Sequence, residues 1–511
     1  MKEIREIISA VERRFNYRES DWAVLSQNLT TAQERLLGLL RETDYDDVKL
    51  ANEVYLTDPG YERYRKDKLI IIEFLSNVLC RSQRISNQSI IARAHARSLQ
   101  RLTCMFLLRD MGYTYAATWY AEINIKQAML YDFTSIVCDS ARYLARVYST
   151  RQYNPKEALR YTNLARQYMS VQQEEHTTEI LFNEITRLNS QKTTIGIADL
   201  SVFNETFSSS VGERSFLYPL YFGLVLIYRA QLSADHNKVI TLSHFYFRHF
   251  ERKKYDHKIA KAIFLRSKVE AHLQLRQYVD AQQTLDLLFT KLNGESNNWF
   301  DAQDLQIRLS LATQDYTLAY KHLQSLLKNK RYKAQPKEKK DLYQLYAAYI
   351  NFLVCTDHIP EVKPWTKKKL TTYFRATTVF DRDTRGVRIA MIIVELLYNI
   401  LDHDYDAMER RIYSLKEYCS KYLKKDKENY RSNCFIKMLL EIPKALFHPE
   451  AAHRKAKRYN QRLVDNPLEL AMQPREVEII PYEQLWRIIL HYLRQPRRRR
   501  PHAMDVSEFD M

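Results

Sequence analysis

Glycine is scarce in this sequence, which has 8 glycines in 511 residues. An average usage of about 7% would give roughly 36. Phosphate-cradling loops, tight hairpin turns and strained catalytic elbows favour glycine, because it adopts positive φ angles without a steric penalty. The deficit argues against such features. It predicts an all-α chain with very few positive φ angles, in which helix exceeds about two-thirds of the residues instead of the usual third.

Recognisable catalytic and metal-binding patterns are also missing. The six cysteines lie far apart and form no CxxC pair, so the sequence indicates neither a zinc site nor a disulfide framework. It contains no HExxH, GxGxxG, GxxxxGK[ST] or GxSxG motif. We therefore expect no enzymatic activity and no metal or cofactor, although a site assembled from distant residues would leave no local pattern.

Two histidine-containing segments are the closest approach to a metal site. His244 and His249 are five residues apart, which does not place both on one face of a helix. The segment from Asp402 to Asp406 has three carboxylates around one imidazole, but it falls where a turn between helices is expected. A solvated turn is the favoured interpretation, because a metal site needs ligands that converge in the proper number.

Long apolar runs are missing as well. The segment from Met1 carries charges throughout and does not resemble a secretory signal. The longest apolar stretches are 216–228 and 387–401; the second would span about 22 Å as a helix, short of the roughly 30 Å hydrocarbon core of a bilayer. We expect two buried helices and, since the cysteines are unpaired, a cytoplasmic protein.

A short pattern recurs where helical periodicity breaks. It reads Gly112-Tyr113-Thr-Tyr-Ala116, Gln277-Tyr278-Val-Asp-Ala281 and Asp315-Tyr316-Thr-Leu-Ala319, with looser versions at Tyr153 and Tyr405. Apolar residues spaced for amphipathic helices flank the second and third copies. The pattern predicts helical hairpins, each with a turn tyrosine followed by a small residue that lets the two helices approach closely.

At these residues the chain resembles tetratricopeptide-like helical repeats, most clearly over 258–330. The likeness is degenerate, because the family's Trp and Gly positions are mostly absent and the spacing from Ala281 to Ala319, 38 residues, exceeds the usual 34 or so. The resemblance implies a curved solenoid of stacked antiparallel helical hairpins. It also assigns a structural role at the repeat turns to Tyr113, Ala116, Tyr278, Ala281, Tyr316 and Ala319.

Breaks in periodicity divide the chain into five predicted segments. They are an N-terminal helical block with repeat-like hairpins (1–190), a polar linker (191–212), central repeat-like helices (213–345), a basic C-terminal helical block (346–495) and a disordered tail (496–511). Near the start, Thr31 and Glu34 have the spacing of a capping box that opens a helix.

Positive charge is concentrated in the second half. Residues 1–250 have 31 Lys and Arg against 28 Asp and Glu, and residues 251–511 have 48 against 33. The cations occur in runs, including Arg454 to Arg458, and the candidate partner-binding residues are Lys328, Lys330, Arg331, Lys333, Lys367, Lys368, Lys369, Arg497, Arg498, Arg499 and Arg500. Runs that converge on one face would attract a polyanion; the alternative is that each run is a solvated turn or helix end.

These observations favour a non-enzymatic scaffold or adaptor that binds another protein through an extended helical-repeat surface. One alternative is a protein that binds nucleic acid or another polyanion through its basic half. A second is a regulator that responds to a peptide or small ligand in an interior rich in tyrosine, of which the chain has 36.

Overall fold

A computed structural model of the protein is all-helical. Of the residues that it describes, 82% lie in helices and none in a strand, which confirms the predicted all-α class and the predicted helix content. The described residues are 4–5, 7–8, 11–12, 22, 29–55, 60–80, 89–190, 208–294, 296–366, 368–370, 372–373, 385–406, 408–410, 429–467 and 478–495.

The chain divides into two compact units, and two of the helices have residues in both. The first comprises Met1–Thr177 and Ser208–Tyr218, and the second Thr178–Phe207 and Pro219–Met511. The first unit contains α1 (Thr31–Glu42), α2 (Asp47–Val54), α3 (Gly60–Cys80), α4 (Ile90–Asp110), α5 (Thr114–Leu130), α6 (Thr134–Ser149), the larger part of α7 (Pro155–Ser190) and α8 (Ser209–Arg214). The predicted linker 191–212 lies outside the described residues up to 207, and its last residues belong to α8.

The second unit contains the remaining described helices. They are α9 (Leu217–Leu232), α10 (His236–Arg252), α11 (Lys258–Gln274), α12 (Tyr278–Lys291), α13 (Asn297–Ala312), α14 (Tyr316–Lys328), α15 (Lys337–Cys355), α16 (Arg385–Asp402), α17 (Tyr430–Leu439), α18 (Glu441–Lys444), α19 (Pro449–Val464) and α20 (Tyr482–Arg494). A short 3-10 turn, Tyr332–Ala334, precedes α15. Apolar residues of α9 and α16 are buried, as the two apolar stretches predict.

Tight turns join many successive helices, and they overturn the expectation that positive φ angles are rare. Gly112 has a φ of 83°, and eight other residues with a side chain also have positive φ, among them Ala234, Arg276, Gln314 and His403. At these turns the next backbone N–H donates to the carbonyl oxygen five residues earlier, as from Gln277 to His272 over 2.9 Å. The helix ends are therefore closed by left-handed residues of ordinary type, at a steric cost that glycine would avoid.

The tight turns of the second unit recur at similar intervals. Positive-φ residues at Ala234, Arg276, Gln314, Asp357 and His403 are 42, 38, 43 and 46 residues apart. Longer connections separate α10 from α11, α12 from α13 and α14 from α15. From α10 to α15 each helix contacts the next one along the chain, and α11 also contacts α13.

The repeat-turn residues occupy partly different positions from those expected. Ala281 and Ala319 are the fourth residues of α12 and α14 and are fully buried, as predicted for a close helix approach. In α5 the fourth residue is Ala117, which is fully buried, whereas Ala116 is exposed. The reason is that Tyr113 is the N-cap residue, while Tyr278 and Tyr316 each begin a helix.

The first helix also begins one residue earlier than its sequence suggests. The N-cap residue of α1 is Thr30, whose hydroxyl accepts from the backbone N–H of Gln33, and the Gln33 amide oxygen accepts from Thr30 N–H. The capping box predicted at Thr31 and Glu34 is therefore shifted by one residue. Gln33, the third residue of the helix, makes a further contact that favours this register, because its amide nitrogen donates to the buried Asp67 at 2.7 Å.

Two glycines of the described helices have opposite surroundings. A Cβ on Gly223 in α9 would lie 2.8 Å from two ring carbons of Tyr246 in α10. Around a Cβ on Gly38 in α1 there is no heavy atom within 4 Å apart from its own helix and chain neighbours. Gly223 thus permits a close approach of two helices, and Gly38 has no such role.

A fully buried arginine ties together the last helices of the second unit. The Arg431 guanidinium donates to both carboxylate oxygens of Glu478, to Glu483 and to the carbonyl oxygens of Leu463 and Asn466, over distances from 2.6 to 3.0 Å. Arg431 lies on α17, the two carbonyls at the end of α19, and the glutamates at the start of α20. This cluster, here called the Arg431 node, therefore fixes three chain segments at one point.

Candidate interaction surfaces

An open groove lies between α12, α13 and α14. Its volume is about 380 Å³, and its lining is mostly apolar by area. The lining residues are Tyr278, Val279, Gln282 and Gln283 of α12, Leu309, Ser310 and Thr313 at the end of α13, and Asp315 and Leu318 at the start of α14. The groove is of the size that binds small ligands or side chains of a partner.

The repeat turns place the walls of this groove. The α13–α14 turn at Gln314 sets Asp315 as N-cap residue of α14, where its carboxylate accepts from Leu318 N–H at 3.0 Å. On the facing wall, the Gln282 amide is held by Gln306 of α13, with Nε2 of Gln306 donating to Oε1 of Gln282 at 3.0 Å. Val279 is 72% exposed. The groove therefore presents an apolar surface with fixed amide groups beside it.

The basic run after α14 is exposed and well ordered by polar contacts. Lys328, Lys330, Lys333 and Lys337, here called the α14–α15 cluster, are all exposed. The Asn329 side chain fastens their loop, because its Nδ2 donates to Gly294 O at 2.9 Å and its Oδ1 accepts from Arg331 N–H at 2.9 Å. The loop that carries these cations is therefore held in place by the Asn329 side chain.

Not every cation of this run is available to a partner. Arg331 is half-buried, and Lys339 forms an ion pair with Asp301 on α13. Lys340 donates from Nζ to the carbonyl oxygen of Lys333 at 3.3 Å. The ion pair of Lys339 with Asp301 therefore leaves this run with fewer unneutralised cations than the sequence suggests.

The second predicted run does not join the first. Lys368 and Lys369 are exposed, with the Lys369 ammonium 4.6 Å from the ring centroid of Trp365. Trp365 N–H donates to Oδ1 of Asn351 at 2.7 Å, so this run lies near the C-terminal end of α15. The α14–α15 cluster lies at the opposite end, about 21 Å away along the helix axis at 1.5 Å per residue. Lys367 and Arg497 to Arg500 lie outside the described residues.

A third basic surface forms on α19. The helix carries Arg454, Lys455, Lys457, Arg458 and Arg462, all exposed, and its opposite face buries Ala452, Ala456 and Leu463. Sequence analysis singled out the run from Arg454 to Arg458, but not Arg462 or Lys437 of α17. Helical periodicity could have predicted that Arg462 belongs to this surface, because it is four residues beyond Arg458. Lys437 belongs to it only because α17 packs on α19.

Metal-binding and membrane-spanning features are not seen in the part of the chain that the structure describes. No three or more His, Cys, Asp or Glu side chains come together there as metal ligands would, and none of the helices there is both long enough and apolar enough to cross a bilayer. The Asp402–Asp406 segment contains a tight turn, with His403 at positive φ and its ring stacked on Phe447. His403 thus takes the left-handed turn position.

Two histidines of the second unit, on α11 and α14, are part of the packing. The Gln303 amide oxygen is 2.8 Å from Nδ1 of His322, and burial lowers the pKa of His322. The Gln277 amide oxygen is 2.7 Å from Nδ1 of His272, and burial likewise lowers the pKa of His272. Both imidazoles are therefore held neutral at neutral pH and join helices instead of offering a charge.

Comparisons of the chain with protein-family models, with curated proteins and with solved structures give no significant match.

Proposed function

We propose that this chain is a cytoplasmic, non-enzymatic scaffold that binds a partner protein along a series of stacked helical hairpins. The tight turns spaced 38 to 46 residues apart in the second unit support a tetratricopeptide-like solenoid there. The contact of α11 with both α12 and α13 supports it too, because stacked hairpins bring alternate helices together. Such an arrangement leaves surface on each repeat for a partner.

The groove between α12, α13 and α14 is the observation that carries this proposal. It combines an apolar lining with amide and hydroxyl groups that can hydrogen-bond a peptide backbone. It also lies beside a repeat turn, so that Tyr278, which the sequence singled out, lines it. A partner segment with one or two apolar side chains fits a groove of this volume and lining.

The test is affinity purification of the full chain after nuclease treatment, at about 0.5 M salt, where exposed charges are strongly screened. Val279→Arg places a charge in the groove without disturbing the core, because Val279 is largely exposed. Ile259→Arg is the matched control, since Ile259 is an exposed apolar residue of the same unit on α11, outside the groove lining.

The proposal expects a stoichiometric protein partner that the parent chain and Ile259→Arg retain and that Val279→Arg loses, with at least tenfold weaker binding when the isolated pair is titrated. The melting temperatures of the three proteins should agree within about 1 °C, which corresponds to a few tenths of a kcal/mol in the free energy of unfolding. Retention of every partner by Val279→Arg, or loss by both variants, would remove the groove as the binding site.

A further inference from the structure

The exposed face of α19 carries an unusually regular row of arginines. Arg454, Arg458 and Arg462 follow one another at four-residue intervals, so their Cα atoms rise in steps of about 6 Å along one side of the helix. Lys455 and Lys457 flank the row. Together with Lys437 of α17, these residues are here called the α19 ridge.

The charges of the α19 ridge are not neutralised within the described chain. None of its cations forms an ion pair with a described carboxylate, and Glu450, the one acidic residue of α19, pairs instead with Arg494 at 2.8 Å. Lys455 donates to the carbonyl oxygen of Lys444 at 2.6 Å, a contact that fixes the ammonium but leaves its charge. The ridge is therefore a concentrated source of positive potential.

An aromatic ring lies beside one arginine of the row. The Arg458 guanidinium lies 4.9 Å from the ring centroid of Tyr459 and donates to the Tyr459 hydroxyl at 3.1 Å. The Lys437 ammonium lies 5.9 Å from the same centroid. A guanidinium is planar and can stack on a base while its N–H groups donate to phosphate oxygens, so Arg458 and the Tyr459 ring offer stacking surfaces beside the charges of the row.

The apolar face of α19 is already occupied. Ala452, Ala456 and Leu463 are buried, and α19 contacts α17, α18 and α20. An amphipathic helix that inserts between lipids needs a free apolar face, and without one a basic surface can only bind anionic lipid headgroups electrostatically. The ridge offers cations and a stacking plane instead, and that combination matches phosphates with bases attached.

We propose that the α19 ridge binds single-stranded nucleic acid, with the arginine row on successive phosphates and a base stacked on Arg458. The row supplies bidentate donors, which fit phosphate oxygens better than an ammonium does. The inference does not depend on the groove between α12 and α14, because the two surfaces share no residue.

The experiment measures fluorescence anisotropy of the full chain with an oligouridine of about 20 nucleotides, longer than the site of one small domain. An abasic oligomer of the same length carries the phosphates without the bases, and phosphatidylserine vesicles test a lipid surface. The main variant is Arg454→Gln with Arg458→Gln and Arg462→Gln. The matched control removes three exposed cations elsewhere in the second unit, by Lys238→Gln with Lys254→Gln and Lys258→Gln.

The proposal expects the arginine variant to bind oligouridine at least tenfold more weakly. The slope of log binding constant against log salt concentration should become shallower by about 2, because three lost phosphate contacts count about 0.7 each on a single strand. The lysine control should remain within twofold of the parent. Arg458→Lys should keep the salt slope and lose most of the preference for oligouridine over the abasic oligomer, because it keeps the charge and removes the plane.

Equal loss in the arginine and lysine variants would overturn the inference, since net charge alone would then explain binding. So would unchanged binding by the arginine variant, tighter binding to vesicles than to oligouridine, or a parent chain that does not distinguish oligouridine from the abasic oligomer. Circular dichroism and thermal unfolding of each variant keep loss of binding separate from loss of fold.

Discussion

Replacing Arg431 by methionine tests the Arg431 node of the second unit. The guanidinium is 1% exposed and donates five hydrogen bonds, two of them to the fully buried carboxylate of Glu478. Methionine fills much of the volume but supplies no donor. Glu478 then keeps the backbone N–H of Tyr482 as a donor, at 2.9 Å, and no longer faces Arg431.

The expected loss of stability is about 3–5 kcal/mol, the usual result of removing one partner from a buried ion pair. Burial raises the pKa of Glu478, and Arg431 opposes that rise, so the variant should have a still higher pKa at this carboxyl. The folded variant then takes up a proton at a higher pH than its unfolded chain does. Its stability deficit relative to the parent should therefore shrink as the pH falls from about 7 to 5.

Urea unfolding followed by tryptophan fluorescence measures this change, because Trp486 is buried on α20 next to the node. The double variant Arg431→Met with Glu478→Leu removes both charges and should recover about 2 kcal/mol of the loss. A loss below about 1 kcal/mol, or a deficit that does not depend on pH, would show that the buried carboxylate does not set the cost.

Four further predictions concern stability and use thermal unfolding unless stated. Ala319→Leu should cost about 1–3 kcal/mol, because the buried site has no room for a larger side chain; unchanged melting would contradict this. Gly223→Ala should destabilise the protein and Gly38→Ala should stabilise it, each by up to about 1 kcal/mol. Changes in stability of the same sign would contradict the difference in their surroundings. Gln314→Gly should raise stability by about 0.5–1 kcal/mol by removing a left-handed side-chain clash, and an unchanged or lower melting temperature would contradict this. Burial lowers the pKa of His257 from 6.5 to about 4, so the unfolded chain binds a proton first and the parent loses stability as the pH falls between those values; His257→Phe should flatten that decline in urea unfolding at a series of pH values.

Helical periodicity and turn chemistry predicted much of the local structure. The turn tyrosines at 113, 153, 278, 316 and 405 all lie within two residues of a helix start or at one. These positions were predictable because a break in the apolar period, followed by a small residue at a fixed distance, depends on neighbours in sequence alone. The buried Ala281 and Ala319 confirm the register at two of those turns.

The predicted register was wrong by one residue at the starts of α1 and α5, where the sequence offers two adjacent residues of the same type. In α5 the buried position belongs to Ala117 instead of Ala116, since this helix begins one residue after its turn tyrosine. In α1 the capping role passed from Thr31 to Thr30, since Gln33 also reaches Asp67 from another helix. Both errors involve adjacent residues of similar type, which local sequence cannot rank.

Surface charge was harder to interpret than helix position. A run of lysines in sequence gives the number of cations but not their direction, and α15 places two predicted runs at its opposite ends. Arg454, Arg458 and Arg462 gather on one side of α19 because their four-residue spacing matches the helix. Spacing within a helix is thus a better guide to a charged surface than the length of a run.

The scarcity of glycine does not have the meaning that the sequence suggests, because left-handed turns are present and are formed by residues with side chains. It indicated helix correctly, but the turns at Ala234, Arg276, Gln314 and His403 adopt the left-handed conformation that glycine usually provides. Each closes a helix with the same backbone hydrogen bond, so the local strain is offset by satisfying the last carbonyl groups. A side chain at this position also reduces the freedom of the unfolded chain, which partly compensates for the strain. In the described part of the chain, low glycine content therefore goes together with helices and no strand, and it does not indicate that left-handed turns are absent.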